Sequence, residues 1–146
     1  MNARLFLLDL EDTRIPISDP TVSTIQACIA ELSPDIVYTH SINDLHQDHR
    51  AAHQATMVAA RRVATVACYQ SPSATVDFHP NRFAAIDDHV DRKLDLLSCF
   101  ASQANQREYL ESDVVVATAR YWSRYGGGRY TEPLEVMRDG VQPGPE

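Results

Sequence analysis

Three short apolar runs, Arg4–Leu10 (RLFLLDL), Asp35–Thr39 (DIVYT) and Thr65–Tyr69 (TVACY), are separated by two stretches with apolar residues at helical spacing. Strand, helix, strand, helix, strand is the pattern of parallel strands joined by crossover helices, because a parallel neighbour is reached only by a connection long enough to hold a helix. In the first helical stretch, Asp19-Pro20 marks the start and Val22, Ile25, Ile29 and Leu32 repeat on one face before Ser33-Pro34 ends it. In the second, Asp48 is placed to cap a helix running through Ala51, Ala52, Ala59 and Ala60 to about Val63. Beyond a loop-rich stretch from Gln70 to Phe83, the spacing predicts helices through Val90, Leu94, Leu97 and Ala101 and through Leu110, Val114, Ala117 and Tyr121. Gly126-Gly127-Gly128 reads as a flexible turn, Arg129–Met137 as an extended segment, and 139–146 as a frayed tail. The expectation is a single α/β domain over residues 1–138, with a mostly parallel sheet and flanking helices.

Composition narrows the function classes. At 146 residues the chain can bury a core, and a net charge of −7 argues against a general nucleic-acid binder, which needs a basic face. No apolar run reaches the ~18 residues of a membrane span, and no charged n-region precedes an apolar stretch at the start. Cys28, Cys68 and Cys99 are scattered and form no CxxC pair, which points to reduced thiols in a cytoplasmic protein rather than a disulfide frame or a cysteine zinc knuckle. Cys68, within an apolar run, reads as a core residue.

Chemistry concentrates in Thr39–His53, THSINDLHQDHRAAH, which holds four of the six histidines. It follows a strand and enters a helix, and ligands of open α/β sheets bind beyond the carboxyl ends of strands. An aspartate beside a histidine can hold its tautomer and raise its basicity; an imidazolium can protonate a leaving amine or stabilise an oxyanion. By this reasoning His46, Asp48 and His49 form the candidate centre; His40, with Asn43 and Asp44, reads either as the wall of a substrate pocket that shapes the site or holds His46, or as loop hydrogen bonding. His53, one turn after His49, is expected along the helix surface. Asp87-Asp88-His89 reads as helix capping.

The run PDIVYTHSINDLHQDHRAAHQAT, Pro34–Thr56, resembles the second motif of the LmbE/PIG-L deacetylases: Pro-Asp, a strand, Thr-His, a polar loop with Asn-Asp, then His-x-Asp-His and a helix. Leu8–Asp12, Tyr69, Pro72, Phe78, Pro80, Asn81, Lys93, Ser102-Gln103, Ala119-Arg120, Tyr130 and Glu132 extend the likeness. The resemblance implies a Rossmann-like α/β fold and zinc-dependent hydrolysis of an N-acetyl group on a glucosamine-type substrate, with His49 as metal ligand, His46 as acid or oxyanion partner, Asp48 orienting that histidine and Tyr130 polarising the carbonyl. The family's Ala-His-Pro-Asp-Asp-Glu motif, which supplies its other ligands and its base, is absent from this sequence. The expectation is therefore an incomplete Zn2+ site and a fold lacking the family's first strand-helix-strand, from a truncated gene product, a misplaced start codon or a fragment in which Met1 is an internal methionine. The exposed edge so created suggests a homo-oligomer. The competing reading is an inactive remnant, a binding or assembly module without metal.

Overall fold

The computed structural model describes residues 3–100 and 107–140. The chain is mixed α/β, with four strands in one open sheet: β1 (Ile36–His40), β2 (Thr65–Tyr69), β3 (Arg82–Ala85) and β4 (Thr131–Asp139), in the order β1-β2-β4-β3. Its helices are α1 (Asp19–Leu32), α2 (Gln47–Ala59), α3 (Val90–Ser98) and α4 (Ser112–Trp122). Two compact units divide the chain: the residues up to His79 with those from Glu135 onward, and Pro80–Leu134.

In the first unit, β1 and β2 run parallel with Ile36 opposite Thr65 and His40 opposite Tyr69. The alternation read from the sequence is thus realised between Asp35 and Tyr69. Helix α1 ends where expected: Ser33 takes the left-handed conformation (φ 46°) and donates its N–H to Ile29 O at 2.8 Å. The inner face of α2 is made of Ala51, Ala55 and Ala59 at four-residue spacing, all buried, so the helix backbone comes close to its neighbours. Ala60, Val63 and Val66 form the core cluster, with Ile29, Val37 and Met57 packed on it. Burying a side chain such as Val66 contributes about 2 kcal/mol, and a larger residue at Ala55 would cost about 1–3 kcal/mol through overpacking.

Arg4–Leu10 departs from expectation. It is not a buried strand: it pairs with no strand among the described residues, and Leu5 and Leu7 are 80% and 84% exposed. A strand exists through its ladder, and without a partner an apolar run stays irregular. Phe6 and Leu8 instead line a groove of 510 Å³ with Ile25, Ile29 and Ile36, and Arg4 pairs with Glu31.

The second unit pairs β3 antiparallel with the start of β4, Arg82 opposite Leu134 and Ala85 opposite Thr131. Strand β3 falls in and just after the stretch read as loop, since Arg-Phe-Ala-Ala is too short to carry a periodic signal. Asp87–His89 is a single 3-10 turn leading straight into α3, and the Asp87 carboxylate accepts from Arg129 N at 2.7 Å. The glycine run is no loose turn. A Cβ on Gly126 would stand 2.6 Å from Thr131 Oγ1, and one on Gly128 would overlap the Asp87 carboxylate, whereas one on Gly127 would meet nothing. Asp139, expected in the tail, closes β4, and Gly140 donates to Ala64 O at 2.9 Å; residues 141–146, Ala101 and Ser102-Gln103 lie outside the described residues.

Candidate active site

The site grows from the carboxyl ends of β1 and β2. Their register sets His40 beside Tyr69, and the phenol oxygen lies 2.9 Å from His40 Nε2. The loop after β1 is clamped by the loop after β2: Leu45 N donates to Ser73 O and Thr75 N to Asn43 O, both at 2.9 Å. At the centre of the clamp sits Asp44, 3% exposed. Its Oδ2 accepts from Ser71 Oγ and faces His49 Nδ1 at 2.9 Å, and its Oδ1 accepts from Ser73 Oγ at 2.7 Å and from His46 N at 2.8 Å. Burial alone would push this carboxyl up. The donors from Ser71, His46, Ser73 and His49 outweigh it and hold the group well below the usual carboxylate range. Asp44 is therefore ionised and can only accept.

Three imidazoles meet beside it. His40 and His49 stack with centroids 3.7 Å apart and planes 11° from parallel, and His46 lies against His49 at 4.6 Å. The two histidines of His-x-Asp-His are wired oppositely. His46 occupies the N-cap of α2, a place the sequence gave to Asp48, and its Nδ1 accepts from Asp48 N at 3.2 Å. In its neutral form the proton is then on Nε2. His49 has its Nδ1 on the Asp44 carboxylate, so in its neutral form the proton is on Nδ1 and Nε2 is bare.

His40 is held neutral. Burial first, and then the neighbouring His49, lower its pKa to about 4 against the opposing pull of Asp44. Tyr69 is pushed up by burial and by Asp44, and stays a phenol. One ring carries both a paired and an unpaired nitrogen: His40 Nδ1 is buried without a hydrogen-bond partner. Such an orphan calls for a ligand, water or ion. His40, Asp44 and His49 form a group whose donor atoms all lie within 4.8 Å of one another and which could bind a metal. Two imidazoles and a carboxylate suit a divalent transition metal such as zinc, though ligand atoms around a tetrahedral ion stand only about 3.4 Å apart, so the group would have to contract.

Several expected placements are corrected. Asp48, 7% exposed, does not turn its carboxylate on His46; it accepts from Thr13 N at 2.6 Å and Ile15 N at 3.3 Å, tying the segment before α1 to the first turn of α2. Only its backbone N–H reaches the His46 ring, because a residue two positions into a helix has its amide, not its side chain, at the cap. His53 is not on the helix surface: it is 6% exposed and its Nδ1 lies 2.9 Å from His40 O. The Asn43 amide donates to Asp77 O at 2.7 Å. Tyr130 belongs to the second unit, where its carbonyl accepts from Ile86 N and the Arg129 guanidinium lies over its ring at 5.4 Å. Ser71 and Ser73 escaped the sequence reading; the signal was a Ser-Pro-Ser directly beyond the carboxyl end of a strand.

Comparison with known proteins finds similar sequences and folds. Residues 1–60 match the family described as PIG-L, GlcNAc-PI de-N-acetylase. Over 87 residues the chain is 33% identical to the uncharacterized deacetylase YaiS of Escherichia coli, an alignment covering 56% of this chain and 47% of YaiS, so the chain spans about half the length of that relative. Among solved structures, the conserved protein TT1542 of Thermus thermophilus superposes with a TM-score of 0.78 at 20% identity, over 92% of this chain and 65% of its own. The N,N'-diacetylchitobiose deacetylase of Pyrococcus horikoshii gives 0.72 at 18% identity, over 88% and 55%. GalB, a 4-carboxy-2-hydroxymuconate hydratase of Pseudomonas putida, gives 0.67 at 20% identity, over 88% and 63%. The shared fold thus houses more than one chemistry, and the sequence match is the more specific finding. That match over residues 1–60, which contains the whole His-x-Asp-His segment, makes this part of the chain similar to the PIG-L (GlcNAc-PI de-N-acetylase) family.

Proposed function

We propose that the chain forms part of a zinc-dependent N-deacetylase centre acting on an N-acetylated small molecule of the glucosamine type. The observation that carries this reading is the opposite wiring of two neighbouring imidazoles: His46 offers an N–H at Nε2, while His49 offers a bare Nε2. Amide hydrolysis needs both. Zinc, when bound, would supply Lewis-acid polarisation and an acidified water. His40, Asp44 and His49 are the group that could hold it; His49 would offer Nε2, with Asp44 behind it on Nδ1.

The chain's own groups do the proton work. As a water oxygen bonds to the acetyl carbon, negative charge gathers on the carbonyl oxygen, and the His46 Nε2–H is the donor for it. The water releases a proton as it adds, and the amine takes one as the C–N bond breaks; His46 passes it at Nε2, giving its proton to the amine and recovering the one from water, so that acetate and amine leave while the Nδ1 cap bond is kept. Asp48 acts by fixing the turn from which His46 projects. Asn43 and Asp44 shape the loop around the substrate, and Tyr130 is assigned to the carbonyl on the family resemblance alone. The glucosamine-type substrate follows from the names of the relatives, GlcNAc-PI for the family and N,N'-diacetylchitobiose for the Pyrococcus enzyme. A cytoplasmic homo-oligomer without nucleic-acid partners completes the proposal. No helix among the described residues is long and apolar enough to cross a membrane.

The test is acetate release from N-acetylglucosamine derivatives by the zinc-supplemented chain. Release that falls at least about 100-fold in His46→Ala supports the reading. No release from a zinc-loaded, folded chain overturns it in favour of a binding or assembly module.

A further inference from the structure

Asp44 has more donors than a loop carboxylate needs. Ser71 Oγ and His49 Nδ1 meet its Oδ2, and Ser73 Oγ and His46 N meet its Oδ1, so both oxygens are fully engaged inside the protein. Its backbone is pinned as well: Arg50 Nη1 donates to Asp44 O at 2.6 Å and to Leu45 O at 2.8 Å. Ser73 Oγ is also 3.3 Å from His49 Nδ1, so one hydroxyl touches both members of the pair. The His49 ring is gripped at its faces by the stacked His40 and His46 rings, and at one edge by this carboxylate. Stacking alone permits either ring nitrogen to face Asp44; the carboxylate decides which, because it accepts and never donates.

We infer that Asp44 is a positioning residue for His49: it fixes the proton on Nδ1 and the ring orientation, and so leaves Nε2 as the nitrogen presented to a metal ion. The inference deepens the reading of His49 as a ligand and rests on it. It also separates two uses of the same carboxylate. A residue that spends both oxygens on four donors acts on the metal through the imidazole, in the way that carboxylate–histidine pairs orient metal ligands elsewhere. Ser71 and Ser73 are then the support of the support, holding Asp44 against rotation. His46 is the internal control, because its tautomer is set by a backbone amide and not by Asp44.

The experiment is long-range proton–nitrogen correlation NMR on the full metal-free chain with labelled histidine, at a pH where the imidazoles are neutral. The expected spectrum has His49 as the Nδ1–H tautomer and His46 as the Nε2–H tautomer. Asp44→Ala moves His49 toward Nε2–H and leaves His46 unchanged. Where Asp44→Ala fails to fold, Asp44→Asn serves, since its amide NH2 turned toward His49 forces the same change. An Nε2–H signal for His49 in the wild-type chain, or an unaltered Nδ1–H in the folded variants, overturns the inference. Zinc titration of the same samples adds the second readout: Asp44→Asn weakens binding 10- to 100-fold. Equal zinc affinity in the two proteins overturns the positioning role. A wild-type chain that takes up no zinc defeats the ligand reading of His49, while the tautomers still decide what Asp44 does.

Discussion

The Asp48 carboxylate sits on two backbone amides of a segment that has no secondary structure, and its removal has a calculable cost. The bond from Thr13 N, at 2.6 Å, is short and charge-assisted and contributes about 2 kcal/mol; that from Ile15 N, at 3.3 Å, adds under about 1 kcal/mol. A negative charge in the first turn of α2 contributes about 0.5 kcal/mol more. Against this, Thr13 is held in the left-handed region at φ 65°, a conformation that costs a β-branched residue about 1 kcal/mol and relaxes once its amide is released. The balance predicts that Asp48→Ala loses about 1.5–2.5 kcal/mol. With an m-value of roughly 1.5 kcal/mol/M, the urea midpoint falls by roughly 1–1.7 M. Amide hydrogen exchange reads the same event locally, as lost protection at Thr13 and Ile15. The His46 tautomer stays as it was, since its partner is the Asp48 backbone. A midpoint within about 0.3 M of wild type, with both amides still protected, would refute this reasoning.

In the metal-free chain, His40 makes stability depend on pH. Its folded pKa, about 4, lies below the ordinary histidine value, so its contribution is complete above about 6.5 and is lost as pH falls from there toward 4; acid titration followed by circular dichroism should show about 1–2 kcal/mol of loss across that window, solvent around the half-exposed ring screening the rest, reduced in His40→Gln. Burial pushes the Cys68 thiol up to about 12, so iodoacetamide at pH 8 should modify the exposed Cys99 and spare Cys68 until the chain unfolds, as peptide mass mapping will show. Tyr69→Phe removes the partner of His40 Nε2 and should cost about 1 kcal/mol in urea unfolding. Gly128→Ala and Gly126→Ala should each destabilise by about 1–3 kcal/mol, while Gly127→Ala changes thermal unfolding little, because only the outer two glycines meet a neighbour where the Cβ would go.

Helices α1 and α2 and strands β1 and β2 were legible in the sequence because each has a periodic apolar pattern and a physical stop, Ser33-Pro34 being the clearest. Arg4–Leu10 has the same local signal as β2 and yet no ladder, because pairing is a property of two segments and a single run cannot report its partner. Strand β3 was invisible for the converse reason: four residues with no alternation become a strand only by lying against β4. Within the site, the histidine cluster was legible from spacing, and its wiring was not. Which nitrogen of His46 or His49 bears the proton depends on Asp48 N and the Asp44 carboxylate, and the latter depends on Ser71 and Ser73, some 27 and 29 residues away in sequence. A one-dimensional reading sees Asp48 beside His46 and assigns the contact to its side chain; the helix turn delivers the amide instead.

The claim that His49 presents a metal ligand is tested most directly by zinc titration calorimetry of the intact chain, compared with His49→Ala and His46→Ala. The account predicts one zinc per chain, no measurable binding in His49→Ala and near-native binding in His46→Ala. Absence of zinc binding in the wild-type chain, or binding that survives in His49→Ala, would contradict it.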